Sequence, residues 1–168
     1  MISKNDIKNI KSLAIKKIRK EKGVFIAEGH KMVEELLNAM ECTLIVSTQE
    51  WAEKQKRLPS VRTEIVSESV LKQTSLLQTP QDVLAVFKIP EYNCGLEIAR
   101  TELVLALDGI QDPGNLGTII RSAVAFNIDS IICSQDTVDL YNDKVIRSTQ
   151  GMLFHINIIS SDKLYFDE

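Results

Sequence analysis

The chain has 168 residues, of which 44% are hydrophobic and 26% charged, with a net charge of −3 at neutral pH. This length suits one ordinary domain or two small ones, and the apolar fraction is high enough for a packed core rather than a disordered chain. No apolar run approaches the roughly 20 residues that cross a bilayer, so we expect no contact with a membrane.

The N-terminal end is basic although the chain as a whole is acidic. Residues 1–31 carry nine Lys and Arg against three Asp and Glu, a net charge of +6. Four apolar residues recur at helical spacing and predict an amphipathic helix over 4–20 that Gly23 ends; they are Ile7, Ile10, Ala14 and Ile18. The lysines on its outer face indicate a contact with a polyanion, but a solvated helix face explains the charge equally well.

Helices and strands alternate from Val24 to Lys88. We predict strands at 24–29, 43–47, 63–67 and 82–88, and helices at 30–40, 50–57 and 68–76. Ser67 precedes the last of these helices and is expected to cap it through its side chain. The alternation predicts a small α/β sandwich domain over residues 1–90.

A second region begins after a segment without periodicity. Pro90, Gly95 and the residues around them predict a linker at 91–101. Strands at 103–107, 130–134 and 155–159, with helices at 115–127 and around 141–150, predict a parallel sheet in a domain over 102–168. The predicted fold class is therefore α/β in both domains.

The segment that follows the first strand of this second domain is chemically unusual. From Pro113 to Ile128 the only charged residue is Arg121. The Gly-Lys-Ser/Thr of a nucleotide-triphosphate loop, the dinucleotide fingerprint and a serine nucleophile elbow are all missing here. A purely structural turn, with Pro113 presetting φ, Gly114 left-handed and Asn115 capping the helix, does not account for Arg121.

The helix after this turn has two predicted faces. Six residues form an apolar core face: Leu116, Ile119, Ile120, Ala123, Val124 and Phe126. The opposite face carries small residues and one guanidinium: Thr118, Arg121, Ser122 and Ala125. An ordinary surface helix would place Lys and Glu there, so we expect a partner or substrate to cover this face. Arg121 is suited to binding a phosphate through its forked N–H groups.

The stretch LDGIQDPGNLGTIIRSAVAFNID, residues 107–129, closely resembles the first motif of the SpoU (TrmH-type) RNA ribose 2′-O-methyltransferases of the SPOUT class. The matching positions are Asp108, Asp112, Pro113, Asn115, Gly117, Arg121, Ala123 and Phe126. Asn127 stands where the family usually has Gly, a conservative departure because Asn also tolerates a left-handed helix end.

Other parts of the chain extend the resemblance. KVIRSTQGMLFHINI, residues 144–158, is similar to a later family segment through Arg147, Ser148, Gly151 and Phe154. Residues 18–37 and 79–88 look like the start and end of the ribosomal-protein-like substrate-binding domain that precedes the catalytic domain. Glu28 and Gly29 resemble a motif of that accessory domain, although a strand end and a turn explain them as well.

The resemblance implies an S-adenosylmethionine-dependent methyltransferase that acts on an RNA ribose and works as a homodimer. Ribosomal RNA, in particular 23S rRNA, is the expected substrate, and transfer RNA is the alternative. It places Arg121 at the ribose and phosphate of the target nucleotide and Asn115 nearby, as the two candidate catalytic residues. Asp108 and Asp112 are expected to shape the turn. The candidate RNA-binding residues are Lys16, Lys17, Arg19, Lys20, Lys31 and Arg121.

The family's later motifs, which build the trefoil knot and the cofactor pocket, do not occur before Glu168, the last residue of the sequence. We therefore expect a C-terminally truncated SPOUT domain with an incomplete knot, inactive by itself. The cofactor-binding residues are expected mainly beyond Glu168, so none is assigned by number. The main alternative is a non-catalytic RNA-binding module, and a third interpretation is an α/β ligand-binding domain unrelated to RNA.

The cysteines argue against a metal site and a disulfide framework. Cys42, Cys94 and Cys133 are far apart and odd in number, and the chain has only two histidines. This pattern indicates reduced thiols in a cytoplasmic protein without a bound metal.

Overall fold

The computed structural model describes residues 2–55, 58, 60–90 and 103–161. The chain divides into two compact units, Met1–Pro90 and Glu91–Glu168. The predicted linker at 91–101, Cys94 and the end of the chain at Glu168 lie outside the described residues. Each unit is described below by itself.

The N-terminal unit is a four-stranded sheet with helices on both faces. Its helices are α1 (Lys4–Ser12), α2 (Lys16–Lys22), α3 (His30–Ala39), α4 (Gln49–Lys54) and α5 (Glu68–Thr74). Its strands are β1 (Val24–Glu28), β2 (Cys42–Ser47), β3 (Arg62–Ile65) and β4 (Val83–Lys88). The strand order is β1-β4-β2-β3, and only β2 and β3 are parallel. The predicted α/β sandwich is confirmed.

Alternation along the strands divides the core of this unit into two layers. One face of the sheet packs against α1 and α5 through a buried cluster of Ile10, Leu13, Ile26, Val46, Leu71, Leu84 and Val86. On β1 and β4 the rings of Phe25 and Phe87 are stacked with their centroids 5.8 Å apart. Helix α3 packs on these same two strands. Val33 and Leu36 of that helix are fully buried.

The prediction of one helix over 4–20 is wrong, because the chain breaks between α1 and α2. The N–H groups of Leu13, Ala14 and Ile15 bond three residues back instead of four, at 3.0, 3.2 and 3.0 Å. The break turns Leu13 into the core and frees its carbonyl, which accepts a hydrogen bond from the buried guanidinium of Arg19. Gly23 ends α2 at φ 63°, as expected for a left-handed helix stop.

Ser67 occupies the N-cap position of α5, but its side chain does not cap the helix. Its hydroxyl lies 2.9 Å from the hydroxyl of Ser69 instead. This part of the prediction is wrong because two neighbouring hydroxyls satisfy each other before reaching the backbone N–H groups.

We expect Arg62→Ala to lower the free energy of unfolding at pH 7 and to lose this effect in acid. Arg62 donates to both carboxylate oxygens of Asp6, at 3.1 and 2.8 Å, and to Glu64. Bonds from Arg62 and Ser3 hold the pKa of Asp6 well below its usual range. A carboxyl group whose pKa falls on folding stabilises the protein above its unfolded-state pKa, about 3.9, and this contribution declines as the pH falls further.

Urea unfolding from pH 7 downward measures this difference, with Lys54→Ala as the control. Lys54 forms an exposed pair with Glu50 at 2.7 Å, four residues apart on α4, and such pairs contribute little. A gap between Arg62→Ala and the unchanged protein that stays constant down to about pH 2 would contradict the assignment to Asp6.

The C-terminal unit is a parallel sheet with connecting helices. It runs β5 (Val104–Leu107), α6 (Pro113–Ala125), β6 (Ser130–Ser134), α7 (Asp143–Thr149), a 3-10 helix (Met152–His155) and β7 (Asn157–Ser161). The strands pair in the order β5-β6-β7, all parallel. The predicted parallel sheet is confirmed. The last strand begins two residues later than expected because the 3-10 helix precedes it.

One face of this sheet is buried and supplies the core together with α6. Leu107, Ile131, Cys133 and Ile158 lie on that face, and Leu116, Ile120 and Ala123 are the buried apolar positions of α6. Burial raises the pKa of the Cys133 thiol to about 11, so this thiol stays protonated and unreactive at neutral pH. Among the described residues, no helix has the length and hydropathy required to cross a membrane.

Candidate active site

The turn after β5 is fixed by hydrogen bonds to the turn after β6. The Gly109 N–H donates to the Ser134 hydroxyl at 2.8 Å, and the Val138 N–H donates to the Ile110 carbonyl at 2.8 Å. The side-chain amide of Gln111 also donates to the carbonyl of Asp136. Because the carboxyl ends of parallel strands form one edge of the sheet, these bonds hold both loops of that edge in one arrangement.

Asp112, not Asn115, caps α6. The Asp112 carboxylate accepts a hydrogen bond from the Asn115 N–H at 2.7 Å, and Pro113 occupies the first turn. The left-handed glycine of this segment is Gly109, at φ 62°, whereas Gly114 lies inside the helix. The predicted cap at Asn115 and the predicted left-handed conformation of Gly114 are wrong because the helix starts two residues earlier than expected. Asp112 shapes the turn as expected.

Gly117 allows α6 and α7 to pack closely. A Cβ atom added at Gly117 would lie 2.0 Å from Ser148 Oγ and 2.7 Å from the Ser148 carbonyl carbon. Ser148 Oγ in turn donates to the Pro113 carbonyl at 2.8 Å and lies 2.9 Å from the Val145 carbonyl. Gly117 and Ser148 were recognised as motif positions, but their contact could not be inferred from spacing alone.

Arg121 lies one helical turn beyond Gly117, on the flank of α6 that faces α7. Residues four apart share one side of a helix, and the Met152–His155 turn also packs against α6. Arg121 is half-buried. In the part of the chain that the structure describes, no carboxylate or carbonyl pairs with its guanidinium. The side chain therefore keeps its full positive charge available for an anion at this flank.

The structure does not bring Asn115 and Arg121 onto one face of the helix. They are six positions apart, which places them about 120° apart around the axis and about 9 Å apart along it. Asn115 is exposed. Its side-chain amide makes no hydrogen bond within the described residues. The two candidate catalytic residues therefore lie on different sides of α6.

The small residues predicted for the outer face of α6 are exposed, whereas Arg121, predicted on the same face, is half-buried on the flank toward α7. Thr118, Ser122 and Ala125 are exposed. Phe126 was expected in the core but is 79% exposed, because the helix ends at Ala125 and Asn127 turns the chain away at φ 59°. The left-handed conformation expected at Asn127 is confirmed.

The second motif lies on α7 and the turn after it. Arg147 is exposed and pairs with Asp143 at 3.2 Å. Gln150 and Gly151 follow in left-handed conformations at φ 51° and 88° and turn the chain into the 3-10 helix that contains the half-buried Phe154. Two consecutive positive φ values make this a sharply defined corner.

The predicted place of the cofactor-binding residues, mainly beyond Glu168, is not covered by the structure. The described part of the C-terminal unit ends with β7 at Ser161, and Glu168 lies outside it. The location of the cofactor residues therefore stays a prediction.

Among the proposed RNA-binding residues of the N-terminal unit, Arg19 is buried and therefore not accessible to RNA. Lys16, Lys17, Lys20 and Lys31 are exposed. Arg19 is 4% exposed and donates to the Leu13 carbonyl, so it serves the interior of the unit and leaves the proposed RNA-binding set. The error arose because the predicted continuous helix placed all basic residues of 4–20 on its outer face.

Glu28 joins two distant parts of the N-terminal unit. Its carboxylate accepts hydrogen bonds from the Leu76 N–H at 2.8 Å and from the Ser75 hydroxyl at the end of α5. Gly29 follows at φ 100°, which only glycine adopts readily. The structure therefore gives both motif residues a structural role. No signal in the sequence pointed to Ser75 as the partner of Glu28.

Two family models match the chain in the order of its two units. Residues 4–85 match the MRM3-like substrate binding domain, and residues 102–165 match the SpoU rRNA Methylase family. A curated relative from Bacillus subtilis, the 23S rRNA (guanosine(2553)-2′-O)-methyltransferase RlmP, is 33% identical over 96% of the chain and 64% of its own length. The chain thus spans somewhat less than two thirds of this relative.

Solved structures give the same result. A protein of the TrmH family from Porphyromonas gingivalis superposes with a TM-score of 0.86 at 33% identity, over 97% of this chain and 64% of that one. An AdoMet-bound rRNA methyltransferase from Sinorhizobium meliloti superposes with a TM-score of 0.75 at 30% identity, over 95% of this chain and 63% of that one. The α/β fold is therefore that of known SpoU and TrmH proteins.

Proposed function

Because the chain carries a SpoU rRNA methylase domain behind an MRM3-like substrate-binding domain, we propose that it acts in the S-adenosylmethionine-dependent methylation of a ribose 2′-hydroxyl in ribosomal RNA. The observation that carries this proposal is that the Arg121 guanidinium has no counter-charge among the described residues. Arg121 lies on α6, which packs closely against α7 where Gly117 meets Ser148. The Bacillus subtilis relative, which acts on 23S rRNA, makes this the proposed substrate.

Arg121 is proposed to bind a phosphate next to the target ribose. A 2′-hydroxyl is a weak nucleophile, so its attack needs either a base or a cation that stabilises the developing negative charge. An arginine stays protonated at neutral pH and is a poor base. Orientation and electrostatic stabilisation are therefore its proposed roles, and the exposed Asn115 is proposed to contact another part of the same RNA.

The carboxyl edge of the C-terminal sheet is where an open α/β sheet binds a ligand such as S-adenosylmethionine. The two loops at the carboxyl edge of the sheet are bonded to each other, at Gly109–Ser134 and Ile110–Val138. In the described part of the C-terminal unit, every buried side-chain nitrogen or oxygen atom has a hydrogen-bond partner. We assign no residue to this cofactor, which supplies the methyl group, and propose that these 168 residues alone do not transfer methyl groups.

A second copy of the chain is proposed to cover the outer face of α6. Thr118, Ser122 and Ala125 leave this face exposed but without charges, which suits close packing. We propose a homodimer located in the cytoplasm. Sedimentation equilibrium distinguishes a dimer from a monomer directly, and a monomer at micromolar concentration would contradict the proposal.

A non-catalytic RNA-binding module is the alternative, favoured by the exposed lysines of α1 and α2. To separate the two functions, residues 4–161 can replace the matched segment of the Bacillus subtilis relative, which supplies the remainder of that enzyme. Transfer of a labelled methyl group from S-adenosylmethionine to ribosomal RNA by this chimera supports the catalytic proposal. A chimera that binds S-adenosylmethionine and RNA without transferring methyl supports the module.

Calorimetry with S-adenosylmethionine tests the status of the unmodified chain. The expected result is no binding heat for the 168 residues and clear binding for the Bacillus subtilis relative under the same conditions. Specific binding by the 168 residues would mean that they hold a pocket that we have not assigned, and would contradict the prediction that the cofactor residues lie mainly beyond Glu168.

A further inference from the structure

An exposed isoleucine sits at the corner between α1 and α2. Ile15 is 57% exposed, and Ala14 beside it is exposed as well. We call residues 13–15 the α1–α2 corner. A single exposed apolar residue is normal on a protein surface and needs no explanation by itself. The surroundings of Ile15 are what distinguish it.

Lysines surround the α1–α2 corner. Lys11 precedes it and Lys16, Lys17 and Lys20 follow it, all exposed. Lys17 forms a loose pair with Glu21 at 3.8 Å, whereas no carboxylate among the described residues pairs with the other three. The corner therefore presents an apolar side chain inside a patch of positive charge, which is the composition expected of a surface that meets a polyanion with apolar parts.

The corner is also rigid, which lowers the entropy cost of binding. Three consecutive backbone turns hold it, and the Arg19 guanidinium donates to the Leu13 carbonyl from inside the unit. Lys22 Nζ further donates to Asn9 Oδ1 at 3.3 Å and joins the far end of α2 to α1. A side chain held in place before contact loses little freedom on binding.

We infer that the α1–α2 corner binds an unpaired segment of RNA, with Ile15 against the face of an unstacked base and Lys16 and Lys20 on the flanking phosphates. Unpaired bases expose apolar faces that a duplex hides, and apolar side chains that contact bases in this way are known in nucleic-acid recognition. One isoleucine and one alanine bury too little apolar surface to hold the chain on a lipid bilayer, so RNA fits this patch better than a membrane. The inference rests on the proposed function for the identity of the partner as RNA.

The test compares two RNAs with the same number of phosphates, a hairpin with an unpaired loop and a fully paired duplex, binding to the full chain by fluorescence anisotropy. We expect Ile15→Ser to weaken binding of the hairpin about fivefold and to leave the duplex unchanged. Ile65→Ser is the matched control, because Ile65 is 49% exposed in the same unit but follows Glu64 on β3. It should change neither affinity.

The lysines are tested through salt dependence. Lys16→Gln and Lys20→Gln should each reduce the slope of log affinity against log salt by about 0.7 to 0.9, on both RNAs. Equal weakening of hairpin and duplex by Ile15→Ser, or no weakening, overturns the inference. So does a preference of the corner for vesicles containing phosphatidylserine, seen as loss of vesicle binding in Ile15→Ser.

These outcomes are distinguishable from failure of the proposed function. A chimera that transfers methyl groups normally with Ile15→Ser, and binds the hairpin normally, overturns the α1–α2 corner as an RNA contact and leaves the methylation proposal intact. Weaker hairpin binding by the Ile15→Ser chain, together with a chimera that transfers no methyl group even with Ile15 in place, supports the corner and overturns catalysis.

Discussion

Gly117→Ala is expected to unfold the C-terminal unit or destabilise it severely. The added Cβ would lie 2.0 Å from Ser148 Oγ, 2.5 Å from Ser148 Cβ and 2.7 Å from the Ser148 carbonyl carbon. Rotation of the Ser148 side chain about its Cα–Cβ bond relieves only the first contact. The other two are with Cβ and the backbone, so α7 as a whole must move. Overpacking of this kind costs about 1–3 kcal/mol and more where backbone is displaced.

Gly114→Ala is the matched control for this prediction. Gly114 lies in the same helix, and its added Cβ would approach only Asp112 Oδ1, at 3.1 Å. Ser148→Gly should restore part of the stability lost in Gly117→Ala, since it removes the two side-chain clashes but not the backbone one. Equal stability of Gly117→Ala and Gly114→Ala would contradict the close packing of α6 and α7.

The buried Cys133 provides the measurement. Its thiol is 1% exposed and lies on the face of β6 that forms the core. Alkylation at Cys133, followed by mass spectrometry of the modified peptide, therefore reports opening of the C-terminal unit separately from the N-terminal one. We expect rapid alkylation in Gly117→Ala and slow alkylation in Gly114→Ala and in the unchanged chain.

Arg121→Ala is expected to reduce methyl transfer by the chimera about a hundredfold or more. Removal of a single group that stabilises the developing charge of a transition state typically costs this much. The loss should fall on kcat more than on KM, because a contact that strengthens only in the transition state contributes little to binding of the ground state. Arg121→Lys should restore less than half of the loss in free energy, because an ammonium group cannot fork onto a phosphate.

Arg147→Ala serves as the control for this variant. Arg147 lies on α7 and already pairs with Asp143, so its removal takes an exposed cation from the same unit without opening the α6 flank. The affinity for S-adenosylmethionine, measured by calorimetry, should be unchanged in both variants. Equal losses of activity in the two, or a change in cofactor affinity in Arg121→Ala alone, would contradict the proposed role of Arg121 at the RNA.

Periodicity was enough to predict the elements and the sheet class, because most helices and strands here bury one face. The parallel sheet of the second unit followed from short apolar strands separated by helices, and the structure has it as β5-β6-β7. The turn chemistry also predicted correctly that Gly23 ends a helix and that Asn127 is left-handed.

The errors lie where a tertiary contact overrides a local pattern. The predicted helix over 4–20 has unbroken periodicity, but α1 and α2 are separate helices. Leu13 is buried in the core between them, and the buried Arg19 guanidinium donates a hydrogen bond to the Leu13 carbonyl. Phe126 fits the apolar face by spacing but lies beyond the helix end. Asp112 rather than Asn115 caps α6, although both are good N-cap residues, and Pro113 in the first position of the helix is the sequence signal that favours this earlier start.

The candidate site was only partly predictable. The motif identified Arg121 and Gly117 as special, and the lack of other charges on α6 was visible in the sequence. The hydrogen bond between Gly109 and Ser134 and the close packing of Gly117 against Ser148 join residues 25 and 31 positions apart, and no local pattern encodes such pairs.

The ion pair between Arg62 and Asp6 also lies at an open edge of the N-terminal sheet. Strand β3 lies at the edge of its sheet, where unpaired backbone groups can recruit a strand from another molecule and begin aggregation. Charged side chains at Arg62 and Glu64 discourage that pairing, and the ion pair to Asp6 connects α1 to the same edge. Arg62 thus has two effects: its ion pair with Asp6 stabilises the folded unit, and its charge on the edge strand β3 disfavours pairing with a strand of another molecule.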